Sequence, residues 1–144
     1  MITYRQIITH DQEYTMEKEL RNQVLRVPLG LALSEDDLRG EDRQIHLVAM
    51  DDKGQVIGCV LVAFSENMAK IRQLAVDAGY RGRGIGTKLI NGAEQAIRDR
   101  RIGMATIHAR VTSQGFFEKL GYTAVSGVFT EVAIPHIAME KRFG

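Results

Sequence analysis

Between the stretch Ala69-Lys70-Ile71-Arg72-Gln73-Leu74-Ala75-Val76 and an amphipathic segment that begins at Ile85, the chain reads Arg81-Gly82-Arg83-Gly84-Ile85-Gly86-Thr87. This order predicts a strand, a glycine turn and a helix. Residues without a Cβ let backbone amides approach a ligand, and the first turn of a helix presents free N–H groups that together carry about half a positive charge. Arg81, Arg83 and Lys88 bring three cations to the same place, so the segment predicts an anion site suited to a pyrophosphate. A plain turn joining strand to helix is the simpler alternative, and the cations weigh against it. Two well-known phosphate loops do not fit. Gly79 and Gly84 have the P-loop separation, but Ile85 stands where that loop needs its lysine. Gly82, Gly84 and Gly86 are too closely spaced for the dinucleotide fingerprint, and Thr87 and Lys88 stand where its last glycine belongs.

Outward from the loop, Ile85, Leu89, Ala93, Ala96 and Ile97 recur at helical spacing and define the main helix, closed by Gly103 after Arg98, Arg100 and Arg101. On the N-terminal side, Ile45 to Met50 and the apolar run Val56 to Phe64 flank a turn at Asp51-Asp52-Lys53-Gly54, and Ser65-Glu66-Asn67 leads on to Ala69. Such short turns predict successive antiparallel strands. Ile2 to Ile8 predicts a first strand, followed by a helix capped by Thr9 or Asp11 that carries Met16, Leu20, Val24 and Val27 and ends at Pro28 and Gly30. Ser34-Glu35-Asp36-Asp37 has capping-box form ahead of Leu38, predicting a short second helix limited by Gly40. After the main helix come an expected strand from Met104 to Ala109, a short helix from Ser113 to Leu120 closed by Gly121, and strands at Tyr122 to Val128 and Ile137 to Lys141. The order β-α-α-β-β-β-α-β-α-β-β predicts a mixed α+β fold in one domain, residues 1–144, with a right-handed parallel crossover around the main helix.

The bulk composition narrows the function classes. The 144 residues carry 19 Lys plus Arg against 18 Asp plus Glu, a net charge of +1, which gives no overall attraction for nucleic acid or an anionic membrane. With 44% hydrophobic and 26% charged residues, the chain is expected to fold and not to remain disordered. Cys59 is the lone cysteine and forms no zinc-type spacing with His10, His46, His108 or His136, so no metal is expected and a reducing, cytoplasmic setting is. No stretch approaches the roughly 18 consecutive apolar residues of a membrane span.

The loop resembles the acetyl-coenzyme A loop of the Gcn5-related N-acetyltransferase (GNAT) family, Arg/Gln-x-x-Gly-x-Gly/Ala, with Arg81, Gly84 and Gly86 in the fixed positions. Ile71 to Val76, the late segment Phe116-Phe117-Glu118-Lys119-Leu120-Gly121-Tyr122 and the stretch Phe129 to Met139 resemble further parts of that family in the same order. The resemblance spans residues 45 to 141. It implies a GNAT-like central sheet, mixed and mostly antiparallel, of about seven strands with about four helices, splayed between the fourth and fifth strands. It also implies acetyl-coenzyme A as cosubstrate and a primary amine of a small molecule or peptide as acceptor, acetylated by direct attack in a ternary complex. The backbone of Leu74, Ala75 and Val76 would pair with the pantetheine arm. The amides of Arg81, Gly82, Arg83, Gly84, Ile85, Gly86 and Thr87 would hold the pyrophosphate, and Ser113, Phe116 and Phe117 would lie along the arm. Family members are often homodimers.

One position departs from the pattern. Many members have tyrosine as general acid where this chain has Phe117, and a phenyl ring donates no proton. Tyr122 occupies the family's packing position at the helix end. For the amine's proton the sequence offers His108, Glu131 and His136. Imidazole titrates near neutral pH, and Glu131 is acidic among Val128, Phe129, Val132 and Ile134. Each could equally be structural. The missing tyrosine leaves open a second function, a non-catalytic sensor of coenzyme A or its acetyl ester, and the loop cations leave open a nucleic-acid phosphate clamp, against which the near-zero net charge argues. Glu35-Asp36-Asp37 with Glu41-Asp42 could attract a cationic amine but reads more simply as a solvated patch, Arg98, Arg100 and Arg101 read as complements of a helix dipole, and Cys59 as a core residue.

Overall fold

The expected order of elements is present in the computed structural model, which describes residues 1–144. Strand β1 is Thr3–Ile7, and helix α1, Glu13–Arg21, continues through a π-helical turn at Asn22–Arg26 into a 3-10 turn at Val27–Leu29. Neither Thr9 nor Asp11 caps α1, which has no side-chain cap. Asp11 instead accepts from the Ile8 amide at 2.9 Å, bracing the turn before the helix. Helix α2, Glu35–Leu38, has the expected capping box: Ser34 accepts from the Asp37 amide and Asp37 from the Ser34 amide. Strands β2 (Ile45–Met50), β3 (Val56–Ser65) and β4 (Met68–Val76) follow as antiparallel neighbours, with β1 antiparallel to β2.

Helix α3, Ile85–Asp99, crosses to β5, Met104–Arg110, which is parallel to β4. The helix stops short of the expected Gly103. Arg101 takes the left-handed conformation at φ 59°, and the Ile102 amide turns back to the Ile97 carbonyl at 3.3 Å, the closure that a glycine more often provides. Helix α4 is Gln114–Lys119, and strands β6 (Thr123–Ala124), β7 (Phe129–Glu131) and β8 (Ile134–Arg142) complete the chain. The sheet therefore has eight strands where about seven were expected, in the order β1-β2-β3-β4-β5-β8-β6 with β7 paired to β8. The strand expected over Tyr122 to Val128 shrinks to β6. The last strand begins at Ile134 and not at Ile137, because a two-residue loop at Val132 and Ala133, both left-handed (φ 50° and 63°), pairs Glu131 with Ile134. That loop geometry favours Asn or Gly, so Val-Ala gives no turn signal. Pro135 sits just past the last β5 pair, Arg110 with His136, where its missing N–H is not needed.

Two apolar clusters cover the two faces of the sheet. Ile85, Leu89, Ile90, Ala93 and Ile97 of α3 join Ile71, Ile107 and Phe117 on one face, and Leu20 of α1 joins Ile7, Val48, Cys59 and Ala75 on the other. Strand β4 contributes to both through a bulge. Cys59 pairs with Ala75 but Leu61 pairs with Arg72, so β4 carries one extra residue there, and Gln73 lies at φ 57°. Ahead of the bulge, Ala69 and Ile71 face α3; after it Leu74 and Val76 do, while Ala75 turns to α1.

Candidate active site

Beyond the pairs Lys70–Thr106 and Ile71–Ile107, β4 and β5 part, and a cavity of about 970 Å³ opens between them. Small-molecule sites measure about 300–1,000 Å³, so this one has room for an extended cofactor arm and a second reactant. Leu74, Ala75 and Val76 line it from β4, Arg81, Gly82, Gly84, Ile85, Gly86 and Thr87 from the loop and the start of α3, and Ser113, Phe116 and Phe117 from α4 and the turn before it. The sequence-named residues thus converge, with one side-chain exception. Arg83 turns away and sets its guanidinium 5.0 Å from the Tyr80 ring centre. Lys88 likewise faces the Tyr4 ring at 5.5 Å. Of the three expected cations only Arg81 lines the cavity, its Nε 3.4 Å from the Val76 carbonyl.

The backbone carries more of the anion site than the cations do. Gly82 and Gly84 lie at φ 79° and 77°, a region costly for residues with a Cβ, and a Cβ built at either would meet no atom within 4 Å. The space is open at the mouth of α3, and no side chain caps that helix, so its first-turn amides have no side-chain acceptor. A phosphate group fits this cradle. Gly84→Val should raise the Kd for coenzyme A at least about tenfold through loss of charge-assisted bonds to the amides, read by calorimetric titration. Gly30→Val is the control for backbone strain, since Gly30 also has φ 71° and open space at its Cβ; it should lose stability while keeping coenzyme A affinity.

On the opposite wall the three proton-acceptor candidates meet. His108 Nδ1 lies 2.9 Å from Glu131 Oε1, and His136 Nε2 lies 3.9 Å from Glu131 Oε2. An imidazole beside a carboxylate at that distance donates its Nδ1–H, which leaves Nε2 of His108 as the free acceptor. His108 and Glu131 are partly exposed, at 36% and 40% of their side-chain surface. His136 is buried, donates Nδ1–H to the Ile134 carbonyl at 2.9 Å and stacks on Phe129. The strained Val132-Ala133 loop is what carries Glu131 to β5. Tyr122 is excluded from the cavity: its hydroxyl donates to Glu94 Oε2 at 2.8 Å, and burial together with that carboxylate pushes its pKa up.

A family model described as the acetyltransferase (GNAT) domain matches residues 14–143. The chain belongs to the GNAT family. Among its relatives is a Bacillus subtilis (strain 168) protein described as a candidate acetyltransferase, 27% identical over 140 residues and covering 94% of this chain and 93% of its own. The crystal structure of an acyl-CoA N-acyltransferase from Pseudomonas aeruginosa superposes with a TM-score of 0.82 at 25% identity, over 98% of this chain and 99% of that one. The PaiA N-acetyltransferase of Thermoplasma acidophilum, solved with coenzyme A, shares the fold with a TM-score of 0.74 at 18% identity, over 99% of each chain. This GNAT is an acyltransferase that uses an acyl-coenzyme A.

Sequence reading missed the ionic layer behind the GNAT cavity. Arg21, fully buried, donates Nη1 to Glu17 Oε2 at 3.2 Å and to Glu41 Oε1 at 2.8 Å, Nη2 to Glu41 Oε2, and Nε to Gln73 Oε1 at 3.0 Å. Tyr14 and Arg72 also donate to Glu41, both at 2.9 Å. The buried His46 faces acceptors with both ring nitrogens, Glu17 Oε1 at 2.9 Å from Nδ1 and the Glu41 carbonyl at 2.8 Å from Nε2, so both carry protons and the ring is an imidazolium. Burial opposes that charge, but Glu17 and the Glu41 carbonyl outweigh it and hold the His46 pKa above its ordinary value. Glu17, Glu41 and His46 present ligand atoms within 4.8 Å of one another, yet the guanidinium of Arg21 already satisfies both carboxylates and neither nitrogen of His46 has a free lone pair. The layer ends on the bulge: Arg21 holds the Gln73 side chain and Cys59 Sγ lies 3.5 Å from the Gln73 carbonyl, tying down a backbone conformation that costs about 1–2 kcal/mol. The only trace in the sequence is the i,i+4 spacing of Glu17 and Arg21, which ordinarily marks a solvent-exposed pair.

Proposed function

We propose that residues 1–144 work as one cytoplasmic N-acetyltransferase domain that moves the acetyl group of acetyl-coenzyme A to a primary amine of a small molecule or peptide in a ternary complex. One observation carries the reading: the splay between β4 and β5 has an uncapped glycine cradle at one mouth and a His108–Glu131 pair on its other wall. The cofactor would enter from the α3 and α4 side, its pyrophosphate on the amides of residues 81–87 and its arm beside Leu74, Ala75 and Val76. Acetyl-coenzyme A supplies an activated thioester, whose C–S bond breaks as the new C–N bond forms.

The amine approaches from the α1 side, where β5 projects Thr106, His108 and Arg110 away from Ala105, Ile107 and Ala109 of the α3 cluster. His108 Nε2 takes the amine's proton, and Glu131 holds the ring in the required tautomer and stabilises the imidazolium. The bulge at Gln73, where the ladder to β3 is interrupted, would offer a backbone N–H to polarise the acetyl carbonyl. Phe117, buried against Phe116 and Tyr122, gives the leaving thiolate no proton, which then comes from water. Thiol release from acetyl-coenzyme A over a panel of amines tests the reading. Turnover that falls in Gly84→Val at subsaturating cofactor and in His108→Ala at saturation is the expected result; coenzyme A binding without turnover on any amine would replace the enzyme with a sensor.

A further inference from the structure

The acceptor half of the cavity is crowded with cations, and two of its arginines are already answered by carboxylates. Arg26, 5% exposed, forks onto Asp37 with Nη2 at 2.9 Å from Oδ1 and Nε at 3.3 Å from Oδ2. Arg72 is held by Glu41, by Gln44 at 2.8 Å and by the Asp37 carbonyl at 2.8 Å. Lys70 lies 3.3 Å from His108 Nδ1, the nitrogen that Glu131 also reaches. Arg110 differs from these. Its one protein hydrogen bond runs from Nη2 to the Leu25 carbonyl at 2.9 Å, an oxygen that also accepts from Arg26 Nη1 at 3.2 Å. No carboxylate pairs with it. The remaining donors of a half-buried guanidinium are therefore free on the cavity wall, beside a second guanidinium. Burial first, and then the charge of Arg26, depress the Arg110 pKa, the behaviour of a cation that lacks its anion.

We propose that Arg110 binds the carboxylate of the acceptor, so that the substrate is a small amino acid whose amine is acetylated at His108. This rests on the acetyltransferase reading above. Arg26 has Asp37 and Arg72 shares Glu41 with Arg21, whereas Arg110 has no carboxylate of its own and can take one from the ligand. A guanidinium fork suits a carboxylate in shape as well. The spacing agrees: His108 and Arg110 are two residues apart on β5 and share a face, about 6.7 Å along the strand, within the span of a short amino acid lying along it. Val24, Leu25 and Val132 also line the cavity, which suits a substrate whose middle is short and apolar. The cradle for the cofactor's phosphates lies beyond Val76 at the start of α3, separate from Arg110, which reaches toward the α1 side.

The test pairs each of glycine, β-alanine, γ-aminobutyrate, leucine and glutamate with its amide, and adds phosphoethanolamine. Thiol release is followed, and calorimetric titration of the same compounds onto the coenzyme A-loaded protein reads binding without turnover. At least one free acid should exceed its amide roughly tenfold to a hundredfold in kcat/KM or in affinity, the range of a hydrogen-bonded ion pair. Arg110→Met should collapse that ratio toward one, Arg110→Lys should restore part of it, and coenzyme A affinity should persist in both. Amides used as well as acids, or phosphoethanolamine preferred to all of them, overturns the assignment while leaving the acetyltransferase intact. Acids that bind in an Arg110-dependent way without any thiol release would instead uphold the carboxylate site and sink the transfer reaction. If none of the compounds binds or reacts, the carboxylate site is refuted.

Discussion

His108→Ala should lower kcat by about two to four orders of magnitude, the range a positioned general base supplies, while the KM for acetyl-coenzyme A changes little. The geometry assigns the roles within the cluster. His108 keeps an Nε2 lone pair, since its Nδ1–H is committed to Glu131 at 2.9 Å, and its side chain is 36% exposed against 7% for His136. Glu131→Gln should cost less, because an amide oxygen can still accept that N–H, although it offers the imidazolium no charge. His136→Ala should leave kcat within a few-fold, since that ring is buried and bonded to the Ile134 carbonyl. The loss in His108→Ala should also narrow as pH rises past the pKa of the acceptor, because an amine that is already neutral has no proton to lose before attack. A defect that is equally deep at every pH would mean a structural histidine.

Glu41→Ala should destabilise the fold by about 3–5 kcal/mol, the cost of leaving a buried charge without its partner, read as the shift in the urea midpoint at unchanged slope. Arg21 would lose two of its carboxylate bonds and Arg72 one. The double variant Arg21→Met with Glu41→Leu should recover much of the loss, since Glu17 and His46 still satisfy each other and the remaining volume becomes apolar. Stability against pH should fall on both sides. For Glu41, burial works to raise the carboxyl's pKa, but the hydrogen bonds and charge of Arg21, with help from Arg72 and Tyr14, hold it below the ordinary glutamate value. Its contribution is therefore complete above about pH 4.3 and fades as the pH drops through the depressed folded value. The raised His46 pKa acts in the opposite direction, giving a contribution that is complete below about pH 6.5 and lost as the pH climbs through the folded value. Removing Glu41 should flatten the acid limb.

The half of the cavity proposed for the cofactor is legible in sequence because its signals are local. A glycine turn, the helix behind it and the strand before it occupy nearly consecutive residues, and each announces its own conformation. In the acceptor half His108, Glu131 and His136 stand out in the sequence, but Arg26, Asp37, Arg72 and Arg110 lie on separate elements and read singly as ordinary surface charges. The second glutamate of the ionic layer, Glu41, sits in a short 3-10 turn whose run of acidic residues looks solvated from sequence alone. His46 escaped notice for the same reason: its meaning comes from Glu17, 29 residues away. The end of the sheet was misplaced because Val132 and Ala133 adopt a turn that their side chains disfavour, so local chemistry pointed away from the hairpin that the sheet imposes.

The bulge at Gln73 changes the pairing of β4 without changing which way its side chains finally point. Ile71 and Leu74 share a face although three residues separate them, so excising Gln73 would leave plain alternation, with Leu74 and Val76 still toward α3 and Ala75 still toward α1. Excision would instead close the break in the ladder between β3 and β4 and remove the two groups of Gln73 that Arg21 and Cys59 hold. A chain shortened by that one residue would keep the inside and outside of its sheet and lose only the interruption beside the cavity.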